Sequence, residues 1–341
     1  MDQSTIPIPE IKASTGWSLL EAAYYYTGAS LLRNLVWLMT GDGRNFDNVI
    51  WINTPGLGSG KVRCAVARPK GSRPHDQQFP VVLVLEGGGF ILGQPEDGEI
   101  NCRRIADTCQ AIVVSIDYAK APSYPFPHAL LQIHSVLAWL FSPEAKQQGL
   151  SVDPERVAVM GNSAGGNLTA SLSLLVSFTK GPCARLGRKL PQNFQLKYQI
   201  ILYPGVDCHL LYRHRYSEAD ETTQKASIPI AFAELMEGAY LPPTIDKKQI
   251  FVAPTLADPA LLRELKVPRA LLLLAGRDCL VFEGQRFGAN LKAAGIRTVV
   301  HEYPDAIHGF SHYKKGADFR PEDVENCWVR ICDALSEAFR N

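Results

Sequence analysis

Seven short runs of apolar or β-branched residues, most of them separated by helix-length stretches, constrain this sequence more than any other feature. They are Lys61 to Ala67, Val81 to Leu85, Ala111 to Ile116, Val157 to Met160, Tyr198 to Leu202, Ala270 to Leu274 and Thr298 to Tyr303. Several are continuous rather than alternating, as in Val81-Val82-Leu83-Val84-Leu85, which is how a strand buried on both faces reads. Between them lie helical stretches at Glu99 to Gln110, Ala129 to Phe141, Leu168 to Thr179 and Phe282 to Ala294, with a last one from Glu322 to Phe339. Apolar strands alternating with helices predict an α/β fold, a mainly parallel central sheet covered by helices on both faces. In such sheets a site forms at the carboxyl ends of the strands.

Two regions depart from this rhythm. Residues 1–50 read as largely helical and precede the first strand, and residues 205–250 form a long insertion between two strands. Long insertions in a compact domain are usually functional. The expectation is a helical cap made of 1–50 and 205–250 on a catalytic domain of 51–341. Within the first region, Trp17 to Met39 is too interrupted by Glu21, Arg33 and Asn34 to cross a membrane. It reads instead as an amphipathic helix with Leu31, Leu35 and Leu38 on one face, which leaves attachment to a membrane surface open. Tyr24, Tyr25, Tyr26, Trp37 and Tyr240 are candidates to line a pocket under this cap, or equally to form its core.

Composition narrows the partners. Lys and Arg total 35 against 34 Asp and Glu, a formal charge of +1, and no basic run appears, so a nucleic acid is not expected. The eight cysteines make no CxxC pair and no zinc spacing, and they read as reduced thiols. No basic, then apolar, leader opens the chain. A cytoplasmic protein with no metal, no cofactor and no membrane span is expected, as a monomer or homodimer.

The chemistry is carried by Gly161-Asn162-Ser163-Ala164-Gly165, a G-x-S-x-G placed between the run Val157 to Met160 and a helical stretch. A serine on that sharp strand-to-helix turn lifts its hydroxyl above the sheet edge. A hydroxyl needs a base to become a nucleophile. His308 follows the run ending at Tyr303, and Asp278 follows the run ending at Leu274, so both fall on loops at strand ends. Glu283 and Asp305 are spare acids and His312 is the spare base. His128, His134 and His301 lie in or beside helices or a strand and fit less well. Glu86-Gly87-Gly88-Gly89-Phe90 follows another strand, and its glycines let backbone amides approach an oxyanion, together with the amide of Ala164.

These residues resemble the hormone-sensitive-lipase-like branch of the α/β-hydrolases, over roughly residues 62–310. Gly87 to Phe90, Asp117-Tyr118-Ala119-Lys120-Ala121-Pro122, Pro125-Phe126-Pro127, Gly161 to Gly165, Ala275 to Asp278 and His308-Gly309-Phe310 occur in that family's order. The resemblance implies Ser163 as nucleophile, His308 as base and Asp278 as its acid. It further implies Gly88, Gly89 and Ala164 as the oxyanion hole, a helical cap and no cofactor. The activity it implies is cleavage of a carboxylic ester, or a related acyl bond, of a small apolar substrate. One residue departs from the pattern. The family usually has His before the glycines, where this chain has Glu86. A carboxylate facing a forming oxyanion repels it. Glu86 is therefore expected to turn away and bond to the loop, or else to tune substrate choice or serve a non-hydrolytic reaction. The same scaffold also serves acyltransferases, lactonases and cyclases of secondary metabolism. It also serves non-catalytic small-molecule receptors, which tend to lose a triad member.

Overall fold

A computed structural model describes residues 1–37, 44–71 and 77–340. Eight strands form one sheet: β1 (Asn48–Asn53), β2 (Lys61–Ala67), β3 (Phe79–Leu85), β4 (Ile112–Asp117), β5 (Val152–Asn162), β6 (Leu196–Leu202), β7 (Arg269–Ala275) and β8 (Thr298–Tyr303). Their order is β1-β2-β4-β3-β5-β6-β7-β8. The β1–β2 and β2–β4 pairs are antiparallel, and every later pair is parallel. This is the expected α/β class.

Alternation along each strand feeds two separate cores, because successive side chains leave a strand on opposite faces. In β3, Val81, Leu83 and Leu85 pack into one core, while Val82 and Val84 pack into the other. The first core is closed by helices His128–Trp139, Ala164–Val176 and Val281–Ala293, and the second by Glu99–Cys109 and Pro321–Arg340. All eight cysteines are buried and unbridged.

The sequence reading needs two corrections. The first strand is not Lys61–Ala67. β1 starts at Asn48, inside the segment read as helical, and pairs along β2. Its pattern has period two, with Ile50 and Ile52 buried and Val49 and Trp51 exposed, as an edge strand requires. Among the described residues before it, only Leu19–Trp37 is helical.

The second correction is the face that helix buries. Leu31 and Leu35 are 66% and 60% exposed, and Leu38 lies outside the described residues. The inward stripe is the buried Ala29 with the half-buried Tyr25, Gly28 and Leu32, where small residues admit a close neighbour. That neighbour is helix Ile230–Tyr240 from the 205–250 insertion. A methyl group placed on Gly28 would lie 2.2 Å from Leu235, and one on Gly238 would meet the Tyr25 ring. The insertion also holds the short helices Tyr212–Ser217 and Glu221–Ala226. Among the described residues, no helix is long and apolar enough to cross a membrane.

Candidate active site

Ser163 stands between β5 and helix Ala164–Val176 with φ 54° and ψ −119°. A positive φ in a non-glycine residue is strained, and it is held here by its surroundings. Its N–H donates to the Leu202 carbonyl at 2.9 Å. Gly165 lets the new helix pass β3 closely, since a Cβ there would fall 1.9 Å from the Leu85 carbonyl oxygen. The motif residues are therefore small because the turn is wedged between two neighbouring strands.

The loops after β7 and β8 reach the same point. Asp278 is completely buried. One carboxylate oxygen accepts the Leu280 amide at 3.1 Å, and the other lies 2.6 Å from Nδ1 of His308. Since an ionised carboxylate only accepts, Nδ1 carries the proton and Nε2 is left as the acceptor. Nε2 is 2.9 Å from the Ser163 hydroxyl, which donates to it. The Tyr203 ring packs against the imidazole in a T-shaped contact, ring centres 5.1 Å apart. Ser163, His308 and Asp278 are thus brought together in one line.

The spare candidates are elsewhere. Glu283 is buried against Arg215, and Asp305 is an exposed partner of Arg320. His128 accepts the Gly58 amide, and His134 meets the Leu186 carbonyl.

The loop after β3 lies against this turn. The Gly87 N–H donates to the Asn162 side chain at 2.8 Å. Gly88 and Gly89 take φ of 129° and 58°, which glycine adopts without penalty. Among the described residues, neither of their amides has a hydrogen-bond acceptor. Ala164 opens its helix, so its amide also lacks an intrahelical partner. Gly89, Ser163 and Ala164 line one cavity of about 50 Å³.

Glu86 does turn away from that cavity, but towards a different partner from the loop expected. Its carboxylate sits on Gly98 and lies 3.2 Å from Nε2 of His312. Burial pushes the His312 imidazole down, but the Glu86 carboxylate outweighs it and holds the pKa above its ordinary value. Tyr203 also bridges this group, its hydroxyl lying 2.7 Å from Ser311 and 3.2 Å from His312. The loop after β3 is thereby tied to the loop that carries His308.

The cavity walls were not foreseen. Phe90, Cys208, Tyr212, Arg215, Met236 and Glu237 line it. Met236 packs on the glycine loop so closely that a Cβ at Gly89 would fall 2.0 Å from its sulfur. Of the aromatics expected there, Tyr24 and Tyr26 are exposed, and Tyr25 packs on Trp17. Tyr240 stacks behind Phe90 with ring centres 3.7 Å apart, and the Trp37 side chain lies outside the described part. None of Tyr24, Tyr25, Tyr26 or Tyr240 lines this cavity. Among the described residues, no group of three or more His, Cys, Asp or Glu is placed to hold a metal ion.

Comparison with known proteins agrees with this geometry. A family model described as the alpha/beta hydrolase fold matches residues 82–312. Esterase LipI of Mycobacterium tuberculosis is 30% identical over 240 residues, 70% of this chain and 68% of that protein. Carboxylesterase NlhH of the same organism is 29% identical over 237 residues, 69% of this chain and 67% of that protein. Among solved structures, an α/β-hydrolase enzyme from the metagenome of Lake Arreo superimposes with a TM-score of 0.71 at 26% identity, covering 96% of this chain and 93% of that one. An esterase of Pyrobaculum calidifontis gives 0.68 at 26% identity, covering 93% and 92%.

Proposed function

The chain belongs to the α/β-hydrolase family, in the hormone-sensitive-lipase-like branch, and from that premise we propose that it hydrolyses a small apolar carboxylic ester through an acyl-enzyme on Ser163. The observation that carries this reading is the relay from buried carboxylate to hydroxyl, 2.6 Å and then 2.9 Å, opening on a cavity lined by a glycine loop. Ser163 Oγ attacks the acyl carbon as its proton passes to Nε2 of His308. Asp278 steadies the imidazolium. The amides of Gly88, Gly89 and Ala164 take the charge that develops on the carbonyl oxygen; one such donor is typically worth about 2.7–4 kcal/mol of barrier. The ester bond breaks, and the leaving alkoxide takes the proton back from Nε2. Water then attacks the acyl-enzyme by the same route, releasing the acid and restoring Ser163.

We assign residues 1–50 and 205–250 to the helical cap of this site and the rest of 51–341 to the catalytic domain. Two observations support the assignment. Helix Leu19–Trp37 packs on helix Ile230–Tyr240, and Met236 and Glu237 of the latter reach the cavity. The cap joins the sheet at its start, because residues 48–50 already pair in β1.

The test is a series of p-nitrophenyl esters of increasing acyl length, run beside Ser163→Ala. Turnover is expected on short acyl groups, falling as the chain outgrows the cavity, with none by the variant. Undiminished turnover by Ser163→Ala would overturn the reading.

A further inference from the structure

The glycine loop after β3 is pinned from outside the sheet, by a charged residue of the N-terminal helix. Arg33 lies in helix Leu19–Trp37 and is half-buried. Its Nε donates to the Ile91 carbonyl at 2.9 Å, and its Nη2 donates to the Ala121 carbonyl at 2.6 Å. Among the described residues its hydrogen bonds go to these two backbone oxygens and to no carboxylate. The two loops it touches are also joined directly, because the Ala121 amide donates to the Phe90 carbonyl at 3.0 Å. One guanidinium fork thus fastens the loop after β3 to the loop after β4.

Two peptide units carry this contact to the nucleophile. The Ile91 carbonyl and the Leu92 N–H belong to one trans peptide, so they point in opposite directions. The Leu92 N–H donates to the Gly88 carbonyl at 2.8 Å, and the Ile91 N–H donates to the same oxygen at 3.1 Å. The Gly88 carbonyl in turn shares a trans peptide with the Gly89 N–H, which therefore points away from both donors. Gly89 lines the cavity with Ser163, and its N–H has no acceptor among the described residues. A continuous chain results: guanidinium, Ile91 carbonyl, Leu92 N–H, Gly88 carbonyl, Gly89 N–H. Hydrogen bonds in series polarise one another. Every link here draws electron density toward the cation, which makes the last N–H a stronger donor.

We propose that Arg33 is a positioning residue of the oxyanion hole, fixing and polarising the Gly89 N–H through the peptides of Ile91 and Gly88. The helix that covers the site would then also tune the donor that takes the charge of the carbonyl oxygen. This inference rests on the esterase reading, and the experiment separates the two. The probes are p-nitrophenyl butanoate and its thiono analogue, in which sulfur replaces the carbonyl oxygen. Sulfur is a weak acceptor, so the thiono ester draws less on the oxyanion donors. Each kcat/KM is divided by the rate of hydroxide hydrolysis of the same ester, and the oxygen-to-sulfur ratio then reads the strength of the hole. Arg33→Met keeps the stem but removes the charge and every donor. It is expected to lower that ratio about tenfold, short of the 10²–10³-fold for outright loss of one donor, with the fall in kcat and KM within about twofold. Arg33→Lys keeps the charge on a single nitrogen and should lower the ratio about threefold, and it decides alone if Arg33→Met fails to fold. An arginine that only fastens the helix would slow both esters alike, so an unchanged ratio would overturn the inference. Hydrolysis of neither ester by the wild type, with Ser163 unlabelled by a fluorophosphonate, would remove the esterase reading and this inference with it.

Discussion

Ser163, Asp278 and His308 hang from the ends of β5, β7 and β8, whereas Arg215, Met236 and Glu237 hang from two helices inserted between β6 and β7. Ser163 of the first set and all three residues of the second line one cavity. The first is held by strand register and by backbone bonds such as Ser163 N–H to the Leu202 carbonyl, which belong to the sheet itself. The second is held by side chains, through the Arg215 cluster with Glu237 and Glu283 and the packing of Leu235 on Gly28. A sheet edge that presents reacting groups tolerates little change, while an insertion held by side chains can be reshaped around them. The division proposed here is bond-breaking chemistry in the rim and substrate choice in the insertion.

Substitutions in the rim should therefore strike kcat, and the strongest after loss of Ser163 is Asp278→Asn. The amide cannot hold the His308 tautomer that leaves Nε2 free to accept. A fall in kcat of about 10⁴-fold is expected with KM little changed. A fall below tenfold would break the division. Next in size is Gly87→Ala, whose Cβ would lie 2.6 Å from the Asn162 carbonyl oxygen and 2.9 Å from the Ser163 Cβ. Pushing the glycine loop off the nucleophile turn should cost about 10²–10³-fold in kcat, the value of one oxyanion donor. An unchanged kcat would show that the loop's seat is unimportant.

The smallest effect sharpens the comparison, because Glu86 and His312 lie behind the rim and outside the cavity. The pKa of folded His312 is raised. The stability it contributes is therefore fully present below the unfolded value of about 6.5 and is lost as pH rises through the folded value. The thermal midpoint of the wild type should exceed that of His312→Gln most at pH 6, and the gap should narrow by pH 9. A gap that widens with pH would contradict the assigned pair.

What the sequence disclosed follows the same division. The β3, β5 and β7 runs contain continuous apolar stretches because both faces are covered there, and the edge strand β8 shows as a shorter β-branched run, so the loops after them could be placed before any coordinates. The β1 signal was present as alternation in Asn48–Asn53 but is weak, since an edge strand buries only every second residue. In helix Leu19–Trp37 two stripes compete. The large leucines at 31 and 35 carry the stronger hydropathy, while Gly28 and Ala29 supply the closer contact that wins. Arg215 had no signal at all, because an arginine in an irregular insertion reads as surface. Its partner Glu283 was legible only as a spare acid, and Glu86 only as a departure from the usual histidine. Neither could point to its partner, because Arg215 and His312 are distant in sequence and meet them only through tertiary packing.

The central claim is that one hydroxyl, at Ser163, becomes covalently bound during turnover. Peptide mass mapping after treatment with a fluorophosphonate tests it most directly. The account predicts a single adduct on Ser163, strongly reduced in Asp278→Asn and absent from Ser163→Ala. An adduct on another residue, or undiminished labelling of Ser163→Ala, would contradict it.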